Sequence, residues 1–261
     1  MLKDNGYHNE LISAARTNFG GVYEYYKKHG NYDIIDSNSL YNFGFSINYS
    51  DRNGWGFNDR YLFEVAKTRL TALSKQDQPF NLQLITIDTH FPDGFIYNYS
   101  YNKYSSQYEN VYATSSKLIN DFVTWIKSQD FYKNTTIVIV GDHLSMQEEY
   151  FQSRGINSTD RYMYYCYINS AVEAENSTNR IYTELDTYPT IIAALGGEIK
   201  GNRLALGVNL FSKQKTLPEK YGLDFFNEEM AKKSPFYNKK ILGSDYEVMA
   251  KEVGIDEDEE D

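Results

Sequence analysis

Residues 135–146 read TTIVIVGDHLSM. A run of β-branched residues favours a strand covered on both faces, the kind that parallel sheets bury between layers of helices. The run ends on Gly141, Asp142 and His143, so a carboxylate and an imidazole emerge side by side at the strand's carboxyl end. Upstream, NLQLITID (81–88) repeats the arrangement. Leu82, Leu84, Ile85 and Ile87 suit a mostly buried strand ending near Asp88, and Thr89-His90 follows. Between the two, Ile119, Phe122, Val123 and Ile126 recur at helical spacing and predict an amphipathic helix closing at about Asp130. Strand, helix, strand is a βαβ unit, so the two strands are expected to be parallel neighbours or nearly so. Open parallel sheets bind ligands at the carboxyl ends of their strands, and both histidine-bearing turns are expected on that edge.

The flanking sequence continues the alternation of helix and strand. Residues 58–73, NDRYLFEVAKTRLTAL, set Leu62, Phe63, Ala66, Leu70 and Leu73 at helical spacing behind an Asn58-Asp59 start. RYMYYCYIN (161–169) reads as a strand. Leu185 to Leu195 reads as a helix begun by Asp186, with Pro189 in its first turn and Gly196-Gly197 at its end. The tyrosine-rich stretch from Ile96 to Tyr108 carries no clear period. Beyond Gly207 the chain is lysine-rich and weakly periodic, and it ends in the acidic tail IDEDEED. The expected fold class is α/β, a largely parallel central sheet flanked by helices, with residues 1–240 as one domain and 241–261 as an extension.

Composition narrows the function. A chain of 261 residues with 41% hydrophobic content buries roughly three quarters of its unfolded surface. A net charge of −10 without a basic patch argues against nucleic-acid binding, which needs clustered Lys and Arg to neutralise phosphates. The single cysteine, Cys166, sits in the run MYYCYI and reads as a buried small side chain. The N-terminal segment lacks the basic start and apolar core of a signal peptide, and no window approaches about 18 consecutive apolar residues. Tyrosine is abundant, 25 against 2 Trp. Such rings suit sugar-facing grooves, and equally serve as strand and core filler.

The four histidines are His8, His29, His90 and His143. His8 and His29 lie beside Asn and Gly in segments that read as surface turns. Asp142 and His143 are a hard and a borderline ligand, and Gly141 before them lets the backbone turn so that both converge on one ion. A protein site needs at least three ligands, so others must come from elsewhere. The competing reading has Asp142 capping a helix and His143 packed against the sheet. THFPDG around His90 is either a substrate contact or only a turn with Asp93-Gly94 at its corner.

Taken together, TIDTHFPDGF (86–95), VGDHLSM (140–146), GWGFNDRYLFEVA (54–66), LDTYPTIIAALGG (185–197) and NRLALGVNLFS (202–212) resemble the catalytic domain of bacterial phosphoglycerol transferases. These are the glucan-modifying relatives of lipoteichoic acid synthase in the sulfatase and alkaline phosphatase superfamily. The blocks occur in the same order over most of residues 1–240, and MLKDNGYHNELISAARTNFGGVYEYYKKHG resembles the segment that follows the family's nucleophile. The resemblance implies a divalent metal, manganese foremost, with Mg2+, Zn2+ and Ca2+ left open. Its ligands would be a Glu, the nucleophilic Thr, and the pair matching Asp142 and His143. It implies that His90 contacts the phosphoglycerol group. The implied reaction has two steps: Thr attacks the phosphorus of phosphatidylglycerol, diacylglycerol leaves, and a hydroxyl of an envelope glycan then takes the phosphoglycerol.

Two departures qualify the match. Lipoteichoic acid synthases carry a Trp and an Arg near the glycerol phosphate, in a segment that aligns with Phe19-Gly20-Gly21-Val22, and neither stands there. The resemblance also puts the Glu ligand and the Thr nucleophile upstream of Lys3. The chain is therefore expected to be the C-terminal part of a transferase, completed by a separate polypeptide or derived from a truncated gene, and to work at the extracytoplasmic face of the bacterial cytoplasmic membrane. Other superfamily chemistries, a sulfatase, phosphodiesterase or phosphoethanolamine transferase, and a non-catalytic glycan binder are the alternatives.

Overall fold

A computed structural model describes residues 1–176 and 178–237; the predicted extension over 241–261 lies outside the described residues. The chain divides into two compact units, one of residues 1–135 and 139–166 and the other of 136–138 and 167 onward.

The first unit is built on a parallel three-stranded sheet. Its middle strand is β1 (His8–Ser13), flanked by β2 (Asp33–Ile35) and β3 (Phe80–Ile85). Leu11 is in register with Ile34 on one side and with Gln83 on the other. Strand β1 was not legible in HNELIS, because Asn9 and Glu10 interrupt its apolar run. In the fold Asn9 to Ser13 are all buried, as a middle strand covered on both faces must be. Glu10 is 0% exposed and is neutralised by Arg69, whose Nε and terminal nitrogen donate to its two oxygens at 2.8 and 2.7 Å. His8 opens this strand, with Nε2 3.4 Å from Glu10 Oε2, and does not lie in a turn.

Helices cover both faces of the sheet. On the face that carries Leu11 and Ile34, helix α1 (Val22–Lys28) packs Val22 and Tyr26, with Ile85 and Tyr32 completing the cluster. Tyr26 donates to Gln83 Oε1, and Tyr32 accepts from Asn81 and Gln83. His29 follows α1 and stacks on Tyr25 at 4.4 Å. On the face that carries Glu10 lies α2 (Asp59–Leu73), the helix that supplies Arg69. It begins where the sequence predicts. Asn58 is its N-cap and its side chain accepts from the Tyr61 N–H, while Leu62, Phe63, Val65, Ala66, Leu70 and Leu73 are buried.

Helix α3 (Gln107–Lys127) packs on α2 through Phe63 and Phe122, with ring centroids 4.8 Å apart. It starts well before Ile119, where the apolar period begins. Its buried face includes Asn110, Thr114 and Ser115, which hide the period, and those groups pin the tyrosine-rich loop. Asn110 Oδ1 accepts from the N–H groups of Lys103 and Tyr104, and Thr114 Oγ1 from that of Tyr101.

Strand β4 (Ile137–Val140) and, after the short helix α4 (Glu148–Gln152), strand β5 (Tyr165–Ile168) pair with each other in a two-stranded sheet. This corrects the βαβ expectation: β3 pairs with β1 and β4 with β5, so β3 and β4 lie in different sheets. A helical crossover fixes strand direction but not which edges bond. Cys166 on β5 is half-buried, less enclosed than its aromatic run suggests.

The second unit holds α5 (Thr187–Ala194), the short antiparallel pair β6 (Arg203–Leu204) and β7 (Gly207–Val208), α6 (Leu217–Tyr221) and α7 (Leu223–Met230). Pro189 falls in the first turn of α5, as expected. Asp186 is 2% exposed and ties the unit together, accepting from the N–H groups of Thr183 and Val208. Arg180 does the same from the other side, with two bonds to Glu219 and others to the carbonyls of Leu210, Ser212 and Gln214. Thr216 and Glu219 form a capping box on α6.

Candidate active site

Both candidate turns belong to the first unit, and the structure brings them into contact. The turn after β3 has positive φ at Asp93 and Gly94, which makes that pair the corner the sequence predicts. The turn after β4 carries Asp142 and His143. Asp93 N–H donates to Gln147 Oε1 at 3.2 Å, and Gln147 Nε2 donates back to Asp93 Oδ1 at 2.7 Å. The β4 turn is further held at Ser145, whose carbonyl accepts from Arg161 at 2.8 Å. Arg161 in turn lies over the Phe151 ring.

Asp142 and His143 point toward each other, with His143 Nε2 3.6 Å from Asp142 Oδ2. Two ligands each about 2.1 Å from one ion at a tetrahedral angle stand roughly 3.4 Å apart, so this spacing suits a shared cation. His143 Nδ1 lies 2.7 Å from the Leu144 carbonyl. A carbonyl only accepts, so Nδ1 carries the proton and Nε2 presents its lone pair. A backbone carbonyl behind the ligating imidazole is the usual outer-shell support of a metal-bound histidine. Neither feature of the competing reading is found. The helix that follows, α4, has Gln147 at its N-cap position, and the side chains of His143 and Asp142 are 59% and 90% exposed. Among the described residues no group of three or more His, Cys, Asp and Glu side chains is placed to hold an ion. The pair therefore fits as part of a ligand set and requires further ligands.

His90 has the same local design. Its Nδ1 lies 2.6 Å from the Phe91 carbonyl, so Nδ1–H donates and Nε2 is the nitrogen left for chemistry. The ring lies against the indole of Trp55, with centroids 4.5 Å apart and planes tilted by 46°, and Phe19 meets that indole edge-on at 5.3 Å.

Asp88, two residues before His90, belongs to a buried carboxylate pair that sequence reading missed. Asp59, the first residue of α2, is 0% exposed, and Asp88 is 5% exposed. Asp59 N–H donates to Asp88 Oδ2 at 3.0 Å, while Asp59 accepts from the N–H groups of Ile87 and Asp88. Tyr97 donates to Asp88 Oδ1 at 3.1 Å. Burial, with the charge of Asp88 added, pushes the Asp59 carboxyl far above its ordinary range, and burial pushes Asp88 up to about 6. Two acids separated by 29 residues gave no signal in the sequence.

This pair makes stability depend on pH. Folded Asp88 keeps its proton to a higher pH than unfolded Asp88, whose ordinary value is 3.8. Between about 4 and 6 native Asp88 therefore binds more protons than unfolded Asp88, and its contribution to stability falls as pH rises through that window. Asp88→Asn is expected to flatten this fall, which is on the order of 2–3 kcal/mol in wild type. Urea unfolding at pH 4.5 and 7 measures it, and an equal slope in wild type and variant would refute the assignment.

The sulfatase family model matches residues 1–197. The chain belongs to the sulfatase family. It is 30% identical over 220 residues, 82% of its length, to phosphoglycerol transferase I of Salmonella choleraesuis strain SC-B67, and 29% identical over the same span to that of Salmonella paratyphi B. The chain spans 28% of the length of these curated relatives. Two solved structures share the fold. Lipoteichoic acid synthase LtaP from Listeria monocytogenes superposes with a TM-score of 0.66 at 19% identity, covering 80% of this chain and 54% of that one. An alkaline phosphatase superfamily protein from Vibrio parahaemolyticus gives 0.56 at 22% identity, covering 78% and 50%. The sulfatase-family chain thus has the α/β fold of the alkaline phosphatase superfamily, as the sequence motifs imply.

Within this sulfatase fold, sequence reading also missed Trp55, which meets His90. The loop that carries it is held by Arg16, whose side chain donates to the Gly54 carbonyl at 2.8 Å. The signal available in the sequence was Gly54-Trp55-Gly56, a Trp between two glycines just before a helix cap.

Proposed function

We propose that this chain forms part of a metal-dependent phosphoglycerol transferase that moves phosphoglycerol from phosphatidylglycerol to an envelope glycan at the extracytoplasmic face of the cytoplasmic membrane. The relatives named for that activity support the reaction class. The observation that carries the site is the convergence of Asp142 Oδ2 and His143 Nε2 in a turn bonded to the turn of His90. Asp142 and His143 would hold a divalent ion, manganese foremost, whose charge, when bound, offsets that of phosphoryl oxygens and eases ionisation of a hydroxyl. His90 would orient the phosphoryl group through Nε2, and the same nitrogen can pass a proton to a leaving oxygen. The Thr nucleophile and the Glu ligand would come from sequence outside these 261 residues. Among the described residues no helix is long and apolar enough to cross a membrane.

The test follows head-group label from phosphatidylglycerol into glycan in membranes that carry the gene, in wild type and in Asp142→Ala and His143→Ala. Removing an outer-shell partner already costs 10–100-fold, so losing either ligand is expected to cost at least about a hundred-fold. Undiminished transfer in both variants, or transfer from phosphatidylethanolamine instead, would overturn the proposal.

A further inference from the structure

The chain's use of His90 raises the question of what fixes its ring. A surface imidazole attached at one nitrogen still swings about that bond, and a phosphoryl contact requires Nε2 in one place. Two constraints act on His90: the Phe91 carbonyl at Nδ1 and the tilted Trp55 indole against the ring.

The loop that presents Trp55 is tightly specified. Asn53 Oδ1 accepts from the N–H groups of Trp55 and Gly56 at 2.9 and 2.8 Å. The Trp55 carbonyl accepts from Arg16 N–H, and the Gly54 carbonyl from the Arg16 side chain. Phe57 N–H donates to the Ala14 carbonyl. A Cβ at Gly56 would stand 2.1 Å from that carbonyl oxygen, so the crossing of segment 54–57 over 14–16 needs glycine. The loop is also tied to the His90 turn by a polar chain. Asn53 Nδ2 donates to the Tyr97 hydroxyl at 3.1 Å, Tyr97 donates to Asp88, and Asp88 accepts from Asp59 N–H. The residue that starts the turn and the residue that shapes the Trp55 loop thus share one hydrogen-bonded path, which fixes the spacing of indole and imidazole.

We propose that Trp55 is a positioning residue for His90, its indole packed against the imidazole at a 46° tilt and limiting the ring's rotation so that Nε2 faces the phosphoryl group of the donor. The inference rests on the reading of His90 in the preceding subsection but is tested separately from it. Trp55 is half-buried and Phe19 beside it is 67% exposed, so this aromatic group reaches the surface where a substrate would arrive.

The four histidines make the test simple, because ring-labelled histidine gives four resonance sets that single His→Gln variants assign. In the 261-residue chain, Trp55→Ala is expected to move the His90 ring resonances out of the indole ring current while leaving those of His29 and His143 in place, and Trp55→Phe to restore most of the shift. In gene-bearing membranes Trp55→Ala is expected to lower kcat about 10–100-fold with KM changed less than about threefold, and Trp55→Phe to recover most of it. His90 resonances that do not move in Trp55→Ala overturn the proposal. Should that variant fail to fold, Trp55→Phe decides: His90 shifts equal to those of a free imidazole overturn it, and retained ring-current shifts support it. Titration with sn-glycerol 3-phosphate separates the two readings. A His90 ring that depends on Trp55 but ignores the phosphate supports the positioning role and overturns the phosphoryl contact.

Discussion

Arg69→Ala will lower the unfolding free energy by about 3–5 kcal/mol, the cost of leaving a buried charge without its partner. Glu10 is fully buried in the middle strand, and Arg69 bonds both of its oxygens; His8 Nε2, at 3.4 Å, is a weaker neighbour. Domains of this kind have only about 5–15 kcal/mol in total, so the loss is a large share. The effect belongs to the orphaned carboxylate rather than to the pair itself. Replacing both members with leucine is therefore expected to restore most of the stability, since well-packed apolar residues often match a buried ion pair. Denaturant unfolding of the two variants checks both statements. A loss below about 1 kcal/mol in Arg69→Ala would rank the pair with exposed ion pairs, and the exposure of Glu10 would then need revision.

Gly56→Ala is expected to destabilise the first unit by about 1–3 kcal/mol or more through overpacking and, with it, to disturb the His90 site. The added methyl group would meet the Ala14 carbonyl oxygen at 2.1 Å, and a backbone oxygen cannot swing aside as a side chain can. Segment 54–57 must lift, which breaks the bonds from Phe57 to Ala14 and from Arg16 to Trp55. The indole then leaves His90. The variant should show a lowered thermal midpoint together with displaced His90 ring resonances. Normal stability with unmoved resonances would mean that the crossing yields more easily than its geometry allows.

The same residues mark how far the sequence could be read. The apolar stripe behind Asn58-Asp59 gave α2, TTIVIV gave a strand, Pro189 gave the first turn of α5, and Asp93-Gly94 gave the corner of the His90 turn. Each is a local signal, a period or a conformational preference within a few residues. The misses were non-local. Strand β1 was hidden because Glu10 is acceptable in a buried strand only when Arg69, 59 residues away, reaches it. The first half of α3 was hidden because its buried Asn110 and Thr114 are paid for by bonds to a loop. The expectation that β3 and β4 are neighbours failed because hydrophobic pattern sets which faces are covered and leaves open which edges pair.

The candidate site divides along the same line. Sequence alone set out the chemical inventory, an Asp-His pair and a second histidine at strand ends, because ligand identity is a property of residue type. It also carried the family, since the motif blocks keep their order. Tertiary structure decided the geometry: that Asp142 and His143 face each other at 3.6 Å, that their turn bonds to the turn of His90, that Trp55 lies against that histidine, and that Asp59 and Asp88 pair in the interior. Distances between side chains remote in sequence arise from packing and shared hydrogen bonds, which no local pattern encodes.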